Sequence, residues 1–133
     1  MIYALDTNII SYLLRGDTGV TQRWRRERTQ GNPSVIPTIA YYEVKRGLVA
    51  ANAKSKLEAF ERLCGALNVD YLTIEDVDVA SRIYAERKTL GRPIEDADLL
   101  IAAQSVSRGY KLVTNNLKHF ELINGLKLVN WAE

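Results

Sequence analysis

The sequence predicts an α/β fold: a central parallel β-sheet of about four to five strands with helices on both faces. Three observations lead there. Short apolar runs recur along the chain, each is followed by a longer stretch with helical spacing of its apolar residues, and Gly, Pro, Asn or Asp separates the two kinds of segment. Strands that alternate with helices need crossover connections, and crossovers join parallel strands.

Residues 2–5 form the first apolar run, read as a buried strand that stops at Asp6. Residues 8–15 carry apolar side chains at 9, 10, 13 and 14, a helical spacing ended by Gly16-Asp17. A strongly basic stretch, 21–29, is read as helical. Gly31-Asn32-Pro33 breaks the chain before a second short strand at 34–36. Helical pattern runs over 38–51 with Thr38 as its N-cap, and again over 53–67. A third strand is expected at 69–73, leading into a helix over 75–90. Gly91-Arg92-Pro93 then breaks the chain, and Pro93 suits the start of a helix over 94–108 that Gly109 ends. A fourth strand at 111–114, a short helix around 118–122 and a last strand near 126–130 complete the pattern.

The 133 residues fit one domain, 1–133, long enough to bury a core without disulfide or zinc. A 47% hydrophobic and 26% charged composition is that of an ordinary soluble globular chain and argues against disorder. Cys64 is the sole cysteine, which excludes an internal disulfide and a cysteine-based zinc cluster. No stretch approaches the roughly 18 apolar residues of a membrane helix, and no signal peptide is visible, so a cytoplasmic protein is expected. Eighteen basic against 16 acidic side chains leave a net charge of +2, which neither requires nor excludes a polyanionic partner.

Three carboxylates stand out. Asp6 sits where the first strand ends, the place at which open α/β sheets bind ligands, although Asp is also a common turn residue. Glu43 falls on a helical stripe with Ile39, Ala40, Gly47 and Ala50, an apolar setting that is costly for an acid unless a cation meets it; Arg46, three residues on, offers the plainer pairing. Glu95, Asp96 and Asp98 crowd the first turns of the helix after Pro93, where the helix dipole favours acids. Spacing does not separate Asp98 from Asp96.

The motifs "LDTN" at 5–8, "YYEVKRG" at 41–47, "GRPIEDADLLIAA" at 91–103, "LVTNN" at 112–116 and "GLKLVNW" at 125–131 resemble, in order and separation, the PIN-domain ribonucleases, and among them the VapC-type toxins of toxin–antitoxin pairs. The resemblance covers essentially the whole chain. It implies a PIN-like fold and assigns metal binding and catalysis to Asp6, Glu43 and Asp98. Many PIN domains carry a further acid where this chain has Asn116. An Asn there can hold a water or face phosphate but brings no charge, which favours one firmly held ion and at most a second that arrives with the substrate. Thr114, Thr7 and Asn8 are the expected supports, Thr114 first.

Oxygen-only ligands suit a hard cation, Mg²⁺ with Mn²⁺ as a substitute. The implied activity is endonucleolytic hydrolysis of an RNA phosphodiester, a tRNA or other structured RNA, leaving a 5′-phosphate and a 3′-hydroxyl. The implied partners are the RNA, an inhibiting VapB-type antitoxin and a second copy of the chain in a homodimer. No membrane partner is expected.

"RWRRER" at 23–28 surrounds Trp24 with arginines. Arg23, Arg25 and Arg26 are candidates for an RNA-binding edge; a solvated basic helix with Trp24 anchored in the core explains the pattern equally well. His119 reads as a solvated surface histidine rather than a general base, and Cys64 as a core residue rather than a nucleophile. Two rivals remain. An aspartyl-phosphate enzyme wants a second Asp where Asn8 stands, and a non-catalytic PIN-fold RNA- or protein-binding module would keep the fold without the chemistry.

Overall fold

The computed structural model describes residues 1–132. Its elements in chain order are β1 (Tyr3–Leu5), α1 (Thr7–Leu14), α2 (Thr18–Thr29), β2 (Ser34–Pro37), α3 (Thr38–Ala50), α4 (Lys54–Leu67), β3 (Val69–Asp70), α5 (Ile74–Thr89), α6 (Asp96–Arg108), β4 (Lys111–Val113), α7 (Leu117–Phe120) and β5 (Lys127–Val129). Tyr3, Ala4 and Leu5 are all buried, so β1 reads as the strand covered on both faces, and it lies at the centre of the sheet.

The five strands run in the order β3-β2-β1-β4-β5, and every neighbouring pair is parallel. Tyr3 pairs with Ser34 on one side and with Lys111 on the other. The chain therefore winds from β1 outward through β2 to β3, then returns past β1 to build β4 and β5. Connections leave β1 and β4 in opposite senses, and the crevice between the carboxyl ends of those two strands is where such a sheet opens a site. Asp6 stands at the end of one strand and Thr114 at the end of the other.

The core is apolar and fully enclosed at Leu5, Ile9, Ile10, Ile36, Phe60, Ile101 and Leu112. Helices α5 and α6 pack on each other, and α3 packs on both α1 and α4. Gly109 takes a left-handed φ of 69° at the end of α6, the conformation that lets the chain turn directly into β4.

Four local expectations need correction. Helix α2 starts at Thr18, not 21, because the Asp17 carboxylate accepts the Val20 N–H and caps it. Thr38 is not an N-cap: Pro37 holds that position without a side-chain bond. The Thr38 hydroxyl instead donates to the Asp70 carbonyl and accepts the Leu72 N–H, tying α3 to the end of β3. Strand β3 is only two residues long, since Thr73 turns to cap α5 in a reciprocal capping box with Asp76. Helix α6 starts at Asp96, because Glu95 is still extended; Pro93 and Ile94 precede the helix, and Ile94 packs against the core.

Candidate active site

Asp6 is buried, 4% exposed, at the junction of β1 and α1. Its extended backbone ends the strand, and its carboxylate caps α1 by accepting the Thr7 N–H at Oδ1 (2.8 Å). Oδ2 accepts the Thr114 hydroxyl (2.8 Å) and the Asn8 side-chain amide (3.2 Å). Thr114 is itself fully buried and its Oγ1 accepts the Asn116 N–H (3.0 Å). Asn115 completes the lattice: its N–H reaches Asn8 Oδ1 (3.2 Å), and its side chain donates to the Tyr12 hydroxyl (3.0 Å). The ends of β1 and β4 are thus clasped around one carboxylate.

Glu43 projects from the second turn of α3 and is half-buried. It accepts the Thr7 hydroxyl at Oε1 (2.7 Å), while the exposed Arg46 guanidinium stands 3.8 Å from Oε2. Both pairings are present, but the threonine bond is the shorter and the better shielded, and exposed ion pairs contribute little. Asp98 lies in the first turn of α6 with its side chain 23% exposed, and its Oδ2 is 3.3 Å from His119 Nδ1. Asp96, left open by spacing, faces the other way, toward Val77 and Tyr84 of α5.

Burial raises the Asp6 carboxyl above its ordinary value, and the Asp98 and Glu43 charges push in the same direction against the pull of its Thr114 and Thr7 bonds. Burial raises Asp98 too, opposed by His119 and assisted by Glu43 and Glu95. The three negative charges therefore act on one another across one crevice. Arg46 and His119 are the cationic or potentially cationic groups touching them among the described residues, and both are largely exposed.

Among the described residues, no group of three or more His, Cys, Asp or Glu side chains is arranged so that it could hold a metal ion as it stands. Each carboxylate is turned to a protein donor: Asp6 to Thr114 and Asn8, Glu43 to Thr7, Asp98 to His119. The fit to a hard divalent cation lies in charge and donor type, oxygen atoms in a mutually repelling set, rather than in a finished coordination shell.

Clefts open on both sides. One of about 280 Å³ runs from Glu43 along Thr7, Ser11, Leu14 and Leu48. The other, about 290 Å³, runs from Asp98 along Arg87, Lys118 and His119. The basic stretch of α2 is elsewhere: Glu27 accepts the Tyr3 hydroxyl and Asn32 meets the N-terminal amine, which puts it at the amino ends of the strands. Arg25 and Arg26 are exposed there, Arg28 stacks on Trp24, and Trp24 packs against the core. Cys64 is half-buried and its thiol is raised by burial, which disfavours the nucleophilic thiolate.

His119 is exposed, as its polar surroundings in the sequence suggest, but its contact with Asp98 has no signal there, and neither have the placements of Tyr12, Arg87 and Lys118. Asn115 has only the placement of "LVTNN" after a strand.

Residues 3–125 match the PIN domain family. Ribonuclease VapC1 of Haemophilus influenzae strain R2866 is 32% identical over the whole of both chains. The tRNA(fMet)-specific endonuclease VapC of Salmonella typhimurium strain LT2 is 32% identical, with 98% of each chain covered. Among solved structures, VapBC2 from Rickettsia felis, bound to a DNA fragment from its promoter, superposes with a TM-score of 0.91 at 26% identity, covering 98% of this chain and 99% of that one.

Proposed function

The chain belongs to the PIN-domain family and, within it, to the VapC ribonucleases, and from that premise we propose that it is a Mg²⁺-dependent endoribonuclease restrained by a VapB-type antitoxin. Asp6, Glu43 and Asp98 are the proposed metal ligands and catalytic residues, with Mn²⁺ able to substitute. The observation that carries the reading is three carboxylates from three distant segments, with Asp6 and Asp98 raised first by burial and further by their acidic neighbours, and none of the three paired with a buried cation among the described residues.

Asp6 is the fixed anchor, because three donors hold it, Thr7 and Asn8 from the first turn of α1 and Thr114 from the end of β4. Glu43 and Asp98 have single close partners, Thr7 and His119, and ligation asks each to turn from that partner. Thr114 and Asn8 keep Asp6 oriented, and the Asn116 N–H keeps Thr114 oriented in turn. His119, with its side chain 60% exposed, positions Asp98 rather than serving as a buried base. When bound, the ion lowers the pKa of an attacking water and offsets charge on the phosphate oxygens. In-line hydrolysis leaves a 5′-phosphate and a 3′-hydroxyl.

The substrate to try first is a tRNA, given the Salmonella relative's name. The acidic crevice suits a basic side chain of the antitoxin as a competing occupant. A homodimer belongs to the same proposal, and the exposed apolar stripe Ile74, Val77 and Tyr84 on α5 is the face it would cover.

The test is Mg²⁺-dependent cleavage of purified tRNA by wild type, Asp6→Asn and Asp98→Asn, with sequencing of the new 5′ ends. Loss of cleavage in both variants supports the assignment. Equal cleavage by all three places the activity elsewhere. The open arrangement of the carboxylates gives the non-catalytic module its one argument, and a wild type that binds RNA in Mg²⁺ without cutting it would favour that rival.

A further inference from the structure

Arg87, near the end of α5, is only 7% exposed. One guanidinium nitrogen, Nη1, donates to the Glu121 carbonyl (2.7 Å), while Nε is buried without a partner. Among the described residues no carboxylate lies within ion-pair distance of it. A buried guanidinium without a counter-ion is costly, and its fork of donors matches phosphate oxygens. It lines the cleft of about 290 Å³ that also holds Asp98, with exposed Lys118 and His119 on the α7 wall and Glu95 at the rim. A cation committed to no protein anion thus stands in the cavity that ends at a proposed metal ligand.

We propose that this cleft is an anion subsite in which Arg87 and Lys118 grip an RNA backbone phosphate flanking the scissile one. The inference rests on the nuclease reading and adds the direction of the strand's path: over the 93–95 segment and α7, away from the apolar cleft beside Glu43. Glu95 and Asp98 repel an anion from their end, so the phosphate sits toward Arg87 and Lys118. Arg87 is a binding residue here. Its backbone bond to Glu121 fixes the height of the guanidinium, and Lys118 adds a movable charge from the opposite wall.

The test pairs Lys118→Ala, an exposed change that leaves the core alone, with Arg87→Lys, which keeps the charge but not the fork. Steady-state cleavage of a 5′-labelled tRNA and its binding by anisotropy in Ca²⁺ are measured from 50 to 200 mM KCl. Both variants should raise KM about tenfold with kcat changed less than twofold. Lys118→Ala should also flatten the slope of log affinity against log salt by about 0.7, one phosphate contact. Wild-type KM and slope in both variants, beside an active wild type, would overturn the subsite alone. Weakened antitoxin binding with RNA binding unchanged would reassign the cleft to the protein partner and overturn it too. A wild type that neither binds nor cleaves RNA removes the nuclease reading and the subsite together.

Discussion

The molecule contains two acid clusters, and they are built in opposite ways. Asp70 and Asp76 converge on Arg108, whose guanidinium pairs with both carboxylates and also donates to the Tyr71 carbonyl. Asp76 is fully buried; burial alone would raise it, but the Thr73 N–H and Arg108 outweigh burial and hold its carboxyl below the ordinary value. Among the described residues Asp6, Glu43 and Asp98 converge on no such guanidinium, and Asp6 and Asp98 are raised. One cluster carries its counter-charge as a side chain and fastens α5, α6 and the end of β3 together. The other leaves its charge open. Acids that a protein pairs internally hold structure, whereas acids left repelling one another beside a cleft are candidates for a ligand site.

That contrast is broken most sharply at Asp6. Asp6→Asn should lower cleavage about a thousandfold, roughly 4 kcal/mol of transition-state stabilisation, by removing a proposed metal ligand. Its melting temperature in EDTA should hold or rise, because a repulsive charge has gone; differential scanning fluorimetry reads this beside the activity. In the other cluster Arg108→Met should do the reverse. Leaving Asp76 buried without its partner costs about 3 kcal/mol, seen as a lowered urea midpoint, while cleavage per folded molecule persists.

A smaller effect sharpens the comparison at the site's support. Thr114→Val removes the hydroxyl that donates to Asp6 and accepts from Asn116, and should weaken Mn²⁺ affinity about tenfold by titration calorimetry without unfolding the protein. A wild-type affinity would mean that Asp6 needs no such orientation.

The two clusters also titrate with opposite sign. Asp76, depressed below the ordinary 3.8, contributes stability that is present above 3.8 and lost as pH falls through its lowered folded value. Asp6 and Asp98, raised above 3.8, favour folding most below 3.8, and that contribution fades as pH rises through their raised values. Without metal, the urea midpoint should therefore rise as pH falls through the raised values of Asp6 and Asp98 and fall below about 3.8. Saturating Mg²⁺ at pH 7 should flatten the first limb. A monotonic decline from pH 7 in EDTA would contradict the raised pair.

The smallest effect is expected at the far end of the sheet. Arg25→Gln with Arg26→Gln should change KM less than Lys118→Ala does, because α2 is anchored beside Tyr3 at the amino ends of the strands. A larger effect than that of Lys118→Ala would restore α2 as the main RNA edge.

Much of this was legible in local pattern. The run ending at Asp6, the helical stripe around Glu43 and the strand before Thr114 follow from apolar spacing and turn residues, which report the immediate surroundings of each residue. In the sequence Asp17 ends one helix, but in the fold it also begins the next, and Thr38 has the pattern of a cap but bonds across to Asp70 and Leu72. Those errors share a cause: a short polar side chain serves a local or a distant backbone equally well, and only packing chooses. His119 looked solvated because it is solvated, yet it touches Asp98. Arg87 gives no sign at all in the sequence, since an arginine near a helix end is ordinary; its burial and its bond to the Glu121 carbonyl exist only in the fold.

By itself the sequence determined the alternation of strand and helix, the parallel sheet and the carboxylate at the first strand's end, because these depend on periodicities a few residues long. The tertiary structure decided that β4 returns beside β1, so that Thr114 meets Asp6 across more than a hundred residues, that Asp98 and not Asp96 faces the crevice, and that Arg87 is enclosed with no carboxylate paired to it among the described residues. Charge repulsion and burial act through space, and no spacing along the chain encodes which distant side chain will stand on the other side of the gap.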